Sequence, residues 1–249
     1  MPINIKRHIP NFITSMNLLS GCISMVLAFE GYLLIAVYLI FLAAIFDFLD
    51  GMTARLLKSY SVVGKELDSL ADVVSFGVAP SVIIFHLMKL ALFGSVDMPT
   101  VEHLSAYEIF FLLLPFFIAI LSGVRLAKFN VDERQSESFI GLAVPANAMF
   151  FVSLYLIVYY SAKTTLVGLI LNEYFLGALS VLFSLLLVSE FPMFSLKVKK
   201  LGFKGNKIRY LFLVLSAILL ILLHSIAIPA IIILYILLSA INNWIYKFN

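Results

Sequence analysis

An all-α, polytopic membrane bundle is the fold this sequence predicts, and three observations carry the prediction. Only 12% of residues are charged while 63% are hydrophobic, whereas a soluble domain carries about a quarter charged residues. Apolar stretches of roughly 18 residues or more, the length that crosses a bilayer as a helix, recur along the chain, and the mean hydropathy is +1.09. The short alternating strands of an outer-membrane barrel are absent. Backbone groups in lipid must be satisfied within their own segment, which leaves helices.

Eight apolar segments follow in order. Phe12–Phe29 comes after Lys6, Arg7 and His8, a start like that of a secretory signal, but no small-residue cleavage site precedes Glu30 and Gly31, so it reads as a mature helix. Tyr32–Leu57 and Gly64–Leu90 flank a short polar turn, and Ile109–Phe129 follows a loop carrying Asp97, Glu102 and Glu108. Ala146–Ser161 and Tyr174–Val188 are shorter, while Tyr210–His224 and Ile226–Tyr246 form a tight pair around His224 and Ser225. The expectation is one membrane domain, with a catalytic core over about 4–200 and a C-terminal helical pair over about 208–249. Cys22 reads as a small buried residue and no Cys/His metal spacing exists. His8, His86, His103 and His224 are scattered. A net charge of +3 gives no reason to expect nucleic acid.

Placement of Lys and Arg sets the orientation. With the N-terminus inside, Lys6, Arg7, Arg55, Lys58, Lys65, Arg125, Lys128, Arg134, Lys197, Lys199, Lys200, Lys204, Lys207, Arg209 and Lys247 all fall on the inner side, and only Lys89 and Lys163 on the outer. Both termini are then cytoplasmic. The basic stretch 197–209 reads as a topology anchor that also touches anionic headgroups.

Four carboxylates break the apolar pattern at the cytoplasmic boundary. Asp47 and Asp50 are three apart near the end of the second helix, and Asp68 and Asp72 are four apart near the start of the third. Each pair shares a helix face, and two antiparallel helices joined by a short turn can aim both pairs into one cavity. Even one such charge in lipid costs about 2.5–3.5 kcal/mol, so the cluster requires cations. Oxygen-only donors suit Mg²⁺ or Mn²⁺, and two such ions form a clamp for phosphoryl transfer. Gly51 leaves room for a ligand against the backbone, Ala54 keeps the same face shallow, Arg55 offers a phosphate donor, and Gly64 permits a turn or close approach. The alternative, in which Asp47 or Asp50 pairs with Arg55 and Asp68 with Lys65, accounts for one or two acids but not four.

Asp47-x-x-Asp50-Gly51-x-x-Ala54-Arg55, eight intervening residues, then Gly64-x-x-x-Asp68-x-x-x-Asp72 resembles the signature of the CDP-alcohol phosphotransferase family in every fixed position. Three further stretches resemble the membrane-integral bacterial branch that makes phosphatidylserine: His8–Thr14 with Asn17–Gly21, Asp68–Pro80, and Ser122-Gly123-x-Arg125-Leu126-Ala127-x-Phe129-Asn130. Phe139-x-Gly141-Leu142-x-x-Pro145-Ala146-Asn147-Ala148 also fits, except that Ala143 stands where proline is usual, which predicts a looser loop. The resemblance spans about Asn4 to Lys200. It implies a six-helix core plus two C-terminal helices, a homodimer in the inner membrane of a bacterial cell, and transfer of a phosphatidyl group from CDP-diacylglycerol to L-serine with release of CMP. It further implies that Asp47, Asp50, Asp68 and Asp72 hold two divalent cations, that Asp72 is the general base, and that Gly51, Arg55 and Ser61 touch the CDP part, with Ala54 beside them.

Serine needs a donor for its carboxylate. Arg125, at the inner end of the fourth segment, is the candidate, the alternative being another inner-side anchor. Asn130 and Asn147 are polar neighbours of the acceptor or, the favoured reading, helix caps. Asn11 and Thr14 cap the first helix, again the favoured reading, or lie over the nucleotide. Acceptors such as glycerol 3-phosphate or inositol phosphate would want a basic cluster, which Arg125, Lys128 and Arg134 could supply. An intramembrane prenyltransferase would repeat its acidic cluster later in the chain, and a cation transporter would carry polar groups through mid-membrane; neither pattern occurs.

Overall fold

The computed structural model describes residues 8–97, 99–132, 139–161, 164–194, 202 and 206–247. Lys6, Arg7, Arg134, Lys163, Lys197, Lys199, Lys200 and Lys204 therefore lie outside the described residues, as does most of the basic stretch 197–209.

All eight apolar segments are helical. The first two, α1 (His8–Phe29) and α2 (Leu33–Leu57), form a hairpin whose turn holds Gly31 at φ +85°. The third segment is one continuous rod: α3 (Val62–Asp72), a π-helical turn (Val73–Val78) and α4 (Ala79–Phe93). The fourth is broken after α5 (Ala106–Leu113), where Pro115 lacks an N–H to continue the ladder, and resumes as α6 (Phe116–Val131). Then come α7 (Val144–Tyr160), a short α8 (Thr164–Ile170), α9 (Glu173–Val188), α10 (Lys207–Leu223) and α11 (Ala227–Lys247). Among the described residues, five stretches are long and apolar enough to cross a membrane, namely His8–Phe29, Leu33–Leu57, Val62–Phe93, Ala106–Val131 and Lys207–Trp244; α7 and α9 are shorter apolar helices. The last stretch is interrupted at His224, at φ 46° and followed by a 3₁₀ turn, and α10 and α11 pack on one another, which is the predicted pair.

The burial pattern is that of helices in lipid. On α1 the buried stripe is Pro10, Thr14, Asn17, Ser20, Gly21, Ser24 and Ala28, while Phe12, Leu19, Ile23, Val26 and Phe29 face outward. Small residues let helix backbones approach, and large apolar ones meet lipid at no cost. Thus Ser24 Oγ donates to the Ala36 carbonyl at 2.7 Å, tying α1 to α2. Cys22 lies on the outward side of α1 and is exposed, contrary to the expectation of burial: its neighbour Gly21, not Cys22, takes the inward position. The centre of the bundle is α4 and α7, whose buried residues run almost without a break from Ala79 to Met88 and from Ala148 to Ile157.

A two-residue antiparallel ladder, β1 (Phe139–Ile140) with β2 (Pro192–Met193), joins the chain before α7 to the chain after α9. Gly141 beside it, at φ +74°, lies against the carbonyls ending α9; a Cβ there would sit 2.5 Å from the Leu187 oxygen. Ala143 caps α7 at φ −69°, ψ 137°, with φ at the value a proline ring would fix, so the position accepts either residue.

Candidate active site

The turn between α2 and α3, both packed on α1, brings the acids together. Asp47 and Asp50 lie near the end of α2, and Lys58 closes that helix in a left-handed conformation, its N–H reaching the Ala54 and Arg55 carbonyls. Ser61 then caps α3, its Oγ accepting from Gly64 N–H at 2.9 Å. One oxygen each from Asp47, Asp50 and Asp68 lies within 4.8 Å of the others. Asp72 stands one turn further along α3, buried, and accepts a hydrogen bond from Asn17 Nδ2 of α1 at 3.2 Å. The structure thus gathers three carboxylates, Asp47, Asp50 and Asp68, into one tight group, and Asp72 is not among them.

The ion-pair alternative does not hold. Arg55 Nε donates to the carbonyl of Gly51 at 2.9 Å, and Lys65 Nζ donates to the carbonyl of Asn130 at 3.1 Å. Meanwhile Asp50 Oδ2 and Asp68 Oδ1 are buried without a hydrogen-bond partner. Clustered, like-charged, desolvated and orphaned oxygens are costly unless a cation sits among them, and an all-oxygen donor set is what a hard divalent ion takes. These residues fit that group.

A cleft of about 520 Å³ opens beside the acids. Its walls come from the start of α1 (Pro10, Asn11, Thr14), the end of α2 (Asp50, Gly51, Ala54, Arg55), the turn (Ser59, Tyr60, Ser61), the start of α3 (Gly64, Lys65, Asp68) and Phe129 of α6. A Cβ on Gly51 would meet nothing closer than an Arg55 nitrogen at 3.9 Å, so glycine there leaves open space. Gly64 is a close approach, since a Cβ would lie 2.8 Å from Asn11 Oδ1. Asn11 and Thr14 sit inside α1 and line the cleft, so neither is its cap: Thr14 Oγ1 instead donates to the Pro10 carbonyl one turn back at 3.0 Å.

The three other polar candidates separate. Arg125 of α6 is buried, stacks over the Phe129 ring at 5.5 Å and leaves Nε without a partner. It does not line the cleft. Asn130 donates to Ser69 Oγ at 2.9 Å, fastening the end of α6 to α3. Asn147 is wholly buried in α7 with both amide atoms unpartnered. Neither is a cap, because the α6 C-cap is Asp132 and the α7 N-cap is Ala143.

Asn17, which the sequence left without a role, is the residue that reaches Asp72 from α1. A signal was present, for an amide at mid-helix in an apolar span faces the protein interior. The π-helical turn after Asp72 has no signal in the sequence. It widens the rod where α1 crosses it: Ser75 Oγ donates to the Asn17 carbonyl at 2.9 Å, and a Cβ on Gly21 would lie 2.8 Å from Ser75 Cα. Such turns concentrate at functional sites.

Comparison with known proteins follows the same residues. The family model described as CDP-alcohol phosphatidyltransferase matches residues 7–187. A CDP-diacylglycerol–serine O-phosphatidyltransferase of Helicobacter pylori (strain J99) is 37% identical over 154 residues, covering 61% of this chain and 59% of that protein. The archaetidylserine synthase of Methanothermobacter thermautotrophicus is 34% identical over 155 residues, covering 61% of this chain and 60% of that protein. A CDP-diacylglycerol–serine O-phosphatidyltransferase of Bacillus subtilis is 34% identical over 148 residues, covering 59% of this chain and 75% of that protein. The chain thus spans about three-fifths of the length of the first two relatives. The matched region runs from the first helix into the last turn of α9 and contains every residue that walls the cleft; the chain belongs to the CDP-alcohol phosphatidyltransferase family.

Proposed function

We propose that the protein transfers the phosphatidyl group of CDP-diacylglycerol to L-serine, giving phosphatidylserine and CMP. The observation that carries this reading is the group of three carboxylates from neighbouring helices within 4.8 Å, two with orphaned oxygens, beside a cleft that also presents Gly51 and Arg55. The choice of serine rests on the relatives, two of which bear the name of serine phosphatidyltransferases and one that of an archaetidylserine synthase.

In this reading Asp47, Asp50, Asp68 and Asp72 hold two divalent cations, Mg²⁺ or Mn²⁺. When bound, these supply the positive charge that neutralises the diphosphate and the departing phosphate of CMP. Gly51 and Ala54 leave the wall shallow enough for the nucleotide diphosphate, and Ser61 and Arg55 lie at its edge. Asn17 holds Asp72 in place by donating to one oxygen, so the other can take the proton of the serine hydroxyl as its oxygen attacks phosphorus. The bond from phosphorus to the bridging diphosphate oxygen breaks, and the electron pair leaves with CMP. In this reading Arg125 receives the serine carboxylate, and the buried, unpartnered amide of Asn147 on α7 is a further polar candidate for the acceptor.

The arrangement in the membrane completes the reading. Eight spans, six in the core and two after it, put both termini and the cleft at the cytoplasmic face of a bacterial inner membrane, where serine and nucleotide are available. The family resemblance adds a homodimer. An acceptor screen tests the proposal: purified protein with CDP-diacylglycerol and Mn²⁺ is given L-serine, glycerol 3-phosphate or inositol phosphate, and CMP and lipid product are measured. Serine-dependent CMP release with phosphatidylserine formation is expected; product formation only with a phosphorylated alcohol refutes serine as acceptor.

A further inference from the structure

Three residues that wall the cleft carry a buried side-chain oxygen with no hydrogen-bond partner among the described residues: Asp50, Asp68 and Ser59. A divalent cation accounts for the two carboxylates. It does not account for the Ser59 hydroxyl, which is neutral and has a hydrogen to give. Ser59 is only 8% exposed, and buried polar groups ordinarily find a partner. It lies among the eight residues between Arg55 and Gly64 that the family signature leaves unspecified, so spacing gave it no role.

The end of α2 fixes where Ser59 stands. Lys58 takes the left-handed conformation, φ 49°, ψ 42°. Its N–H donates to the Arg55 carbonyl at 3.3 Å, and the Ser59 N–H donates to the Ala54 carbonyl at 3.0 Å. This pair of bonds is a Schellman ending, in which the residue in the Ser59 position commonly makes an apolar contact with the last helical turn. Here that residue is polar, and it faces the cleft beside Ala54 and Arg55. The other serine of the turn is already engaged, since Ser61 Oγ accepts from Gly64 N–H as the cap of α3. Arg55 commits only Nε among the described residues, to the Gly51 carbonyl. One wall of the cleft therefore offers a hydroxyl and a guanidinium, and the adjoining wall offers carboxylates suited to a cation. A phosphate group accepts from both donors and from a cation at once, through separate oxygens; an alcohol or an ammonium group does not.

We propose that Ser59 is a binding residue for the donor substrate: its hydroxyl donates to a phosphate oxygen of the nucleotide diphosphate held between Arg55 and the metal-binding acids. Ser61 then serves the same ligand indirectly, by fixing the start of α3. The inference rests on the reading of the cleft as the seat of a nucleotide diphosphate donor, and it does not depend on which alcohol accepts.

Ser59→Ala tests it in the full-length protein in detergent. Binding of CDP and of inorganic pyrophosphate is measured by calorimetry with Mg²⁺ in excess over the ligand. Both dissociation constants are expected to rise about tenfold, the loss of one hydrogen bond to a charged group. Mg²⁺ affinity and the Tm of the ligand-free protein are expected to match wild type, because the hydroxyl has no partner in the protein to lose. In turnover, the CDP-diacylglycerol KM is expected to rise by a similar factor while the serine KM stays within about twofold. An unchanged CDP affinity, a loss for CDP with none for pyrophosphate, an equal loss of Mg²⁺ affinity, or an effect confined to the serine KM overturns the inference. If Ser59→Ala does not accumulate, Ser59→Cys replaces it: a thiol is a weak donor, so weaker CDP binding is again expected, and wild-type affinity overturns the inference. Wild-type protein that binds no CDP refutes the donor reading and the inference together, whereas wild-type protein that binds CDP as tightly as Ser59→Ala refutes the inference alone.

Discussion

Replacing Gly21 with alanine perturbs the proposed base from the neighbouring helix. Gly21 faces the π-helical turn, and an added Cβ would lie 2.5 Å from Ser75 Oγ and 2.8 Å from Ser75 Cα. The hydroxyl can rotate, but the backbone atom cannot. To reach the ordinary contact distance of 3.4 Å, α1 must move from the turn by at least about 0.6 Å, which in a packed bundle costs about 1–3 kcal/mol. Asn17 lies one turn before Gly21 on the same face. The same displacement stretches its 3.2 Å bond to Asp72 to roughly 3.8 Å, beyond hydrogen-bond range. A bond to a charged group is worth about 1.5–3 kcal/mol, so if Asn17 orients Asp72 for proton transfer, kcat should fall at least about tenfold. The assay is CMP release from CDP-diacylglycerol with serine, read beside thermal unfolding in detergent. Gly21→Ala should lower both kcat and Tm, Asn17→Ala should lower kcat with less effect on Tm, and Ser75→Ala should not rescue Gly21→Ala because the clash with the backbone of the turn remains. Wild-type turnover in Gly21→Ala with an unchanged Tm would refute the claim that this crossing positions Asp72.

Three other substitutions probe the remaining parts of the site. Asp68→Asn removes one of the three clustered carboxylates: Mn²⁺ binding measured by calorimetry should weaken, and CMP release should fall by at least about 100-fold, while the protein elutes as wild type; near-normal turnover would rule out a metal role for this group. Asp72→Asn should retain CDP-diacylglycerol binding but lose about 10²–10⁴-fold in transfer rate, and an unaltered rate would remove Asp72 as base. Ser61→Ala deletes the α3 cap at a cost of about 1 kcal/mol, and the loosened turn should raise the CDP-diacylglycerol KM severalfold, whereas an effect confined to the serine KM would place Ser61 elsewhere.

Much of the site is legible in the sequence because its chemistry is local. Asp47 with Asp50, and Asp68 with Asp72, share faces by helical periodicity alone, and a short turn between two helices leaves few ways to keep the pairs apart. Gly51, Ala54 and Arg55 follow on the same helix end, and all three line the cleft. Where several partners are possible, residue type misleads. Asn11, Thr14, Asn130 and Asn147 suit caps by residue type, but a cap depends on where the helix begins, and each lies inside or across a helix instead. Cys22 reads as inward because apolar composition does not distinguish lipid from protein core.

The sequence by itself determined that the chain is a helical membrane protein, that its acids converge at the end of one hairpin, and which family signature they compose. These follow from hydropathy and from spacings of three and four residues, which fix neighbours along a single helix. Only the tertiary structure decided that Asn17 of α1 holds Asp72, that a π-helical turn admits α1 so closely, and that Asp47, Asp50 and Asp68 form the tight group of carboxylates. Each of those is a meeting of segments far apart in the chain or of helices whose apolar faces look alike in sequence. Such meetings are set by which small residues let backbones approach and by which buried polar groups find one another, and only the packed bundle reveals either.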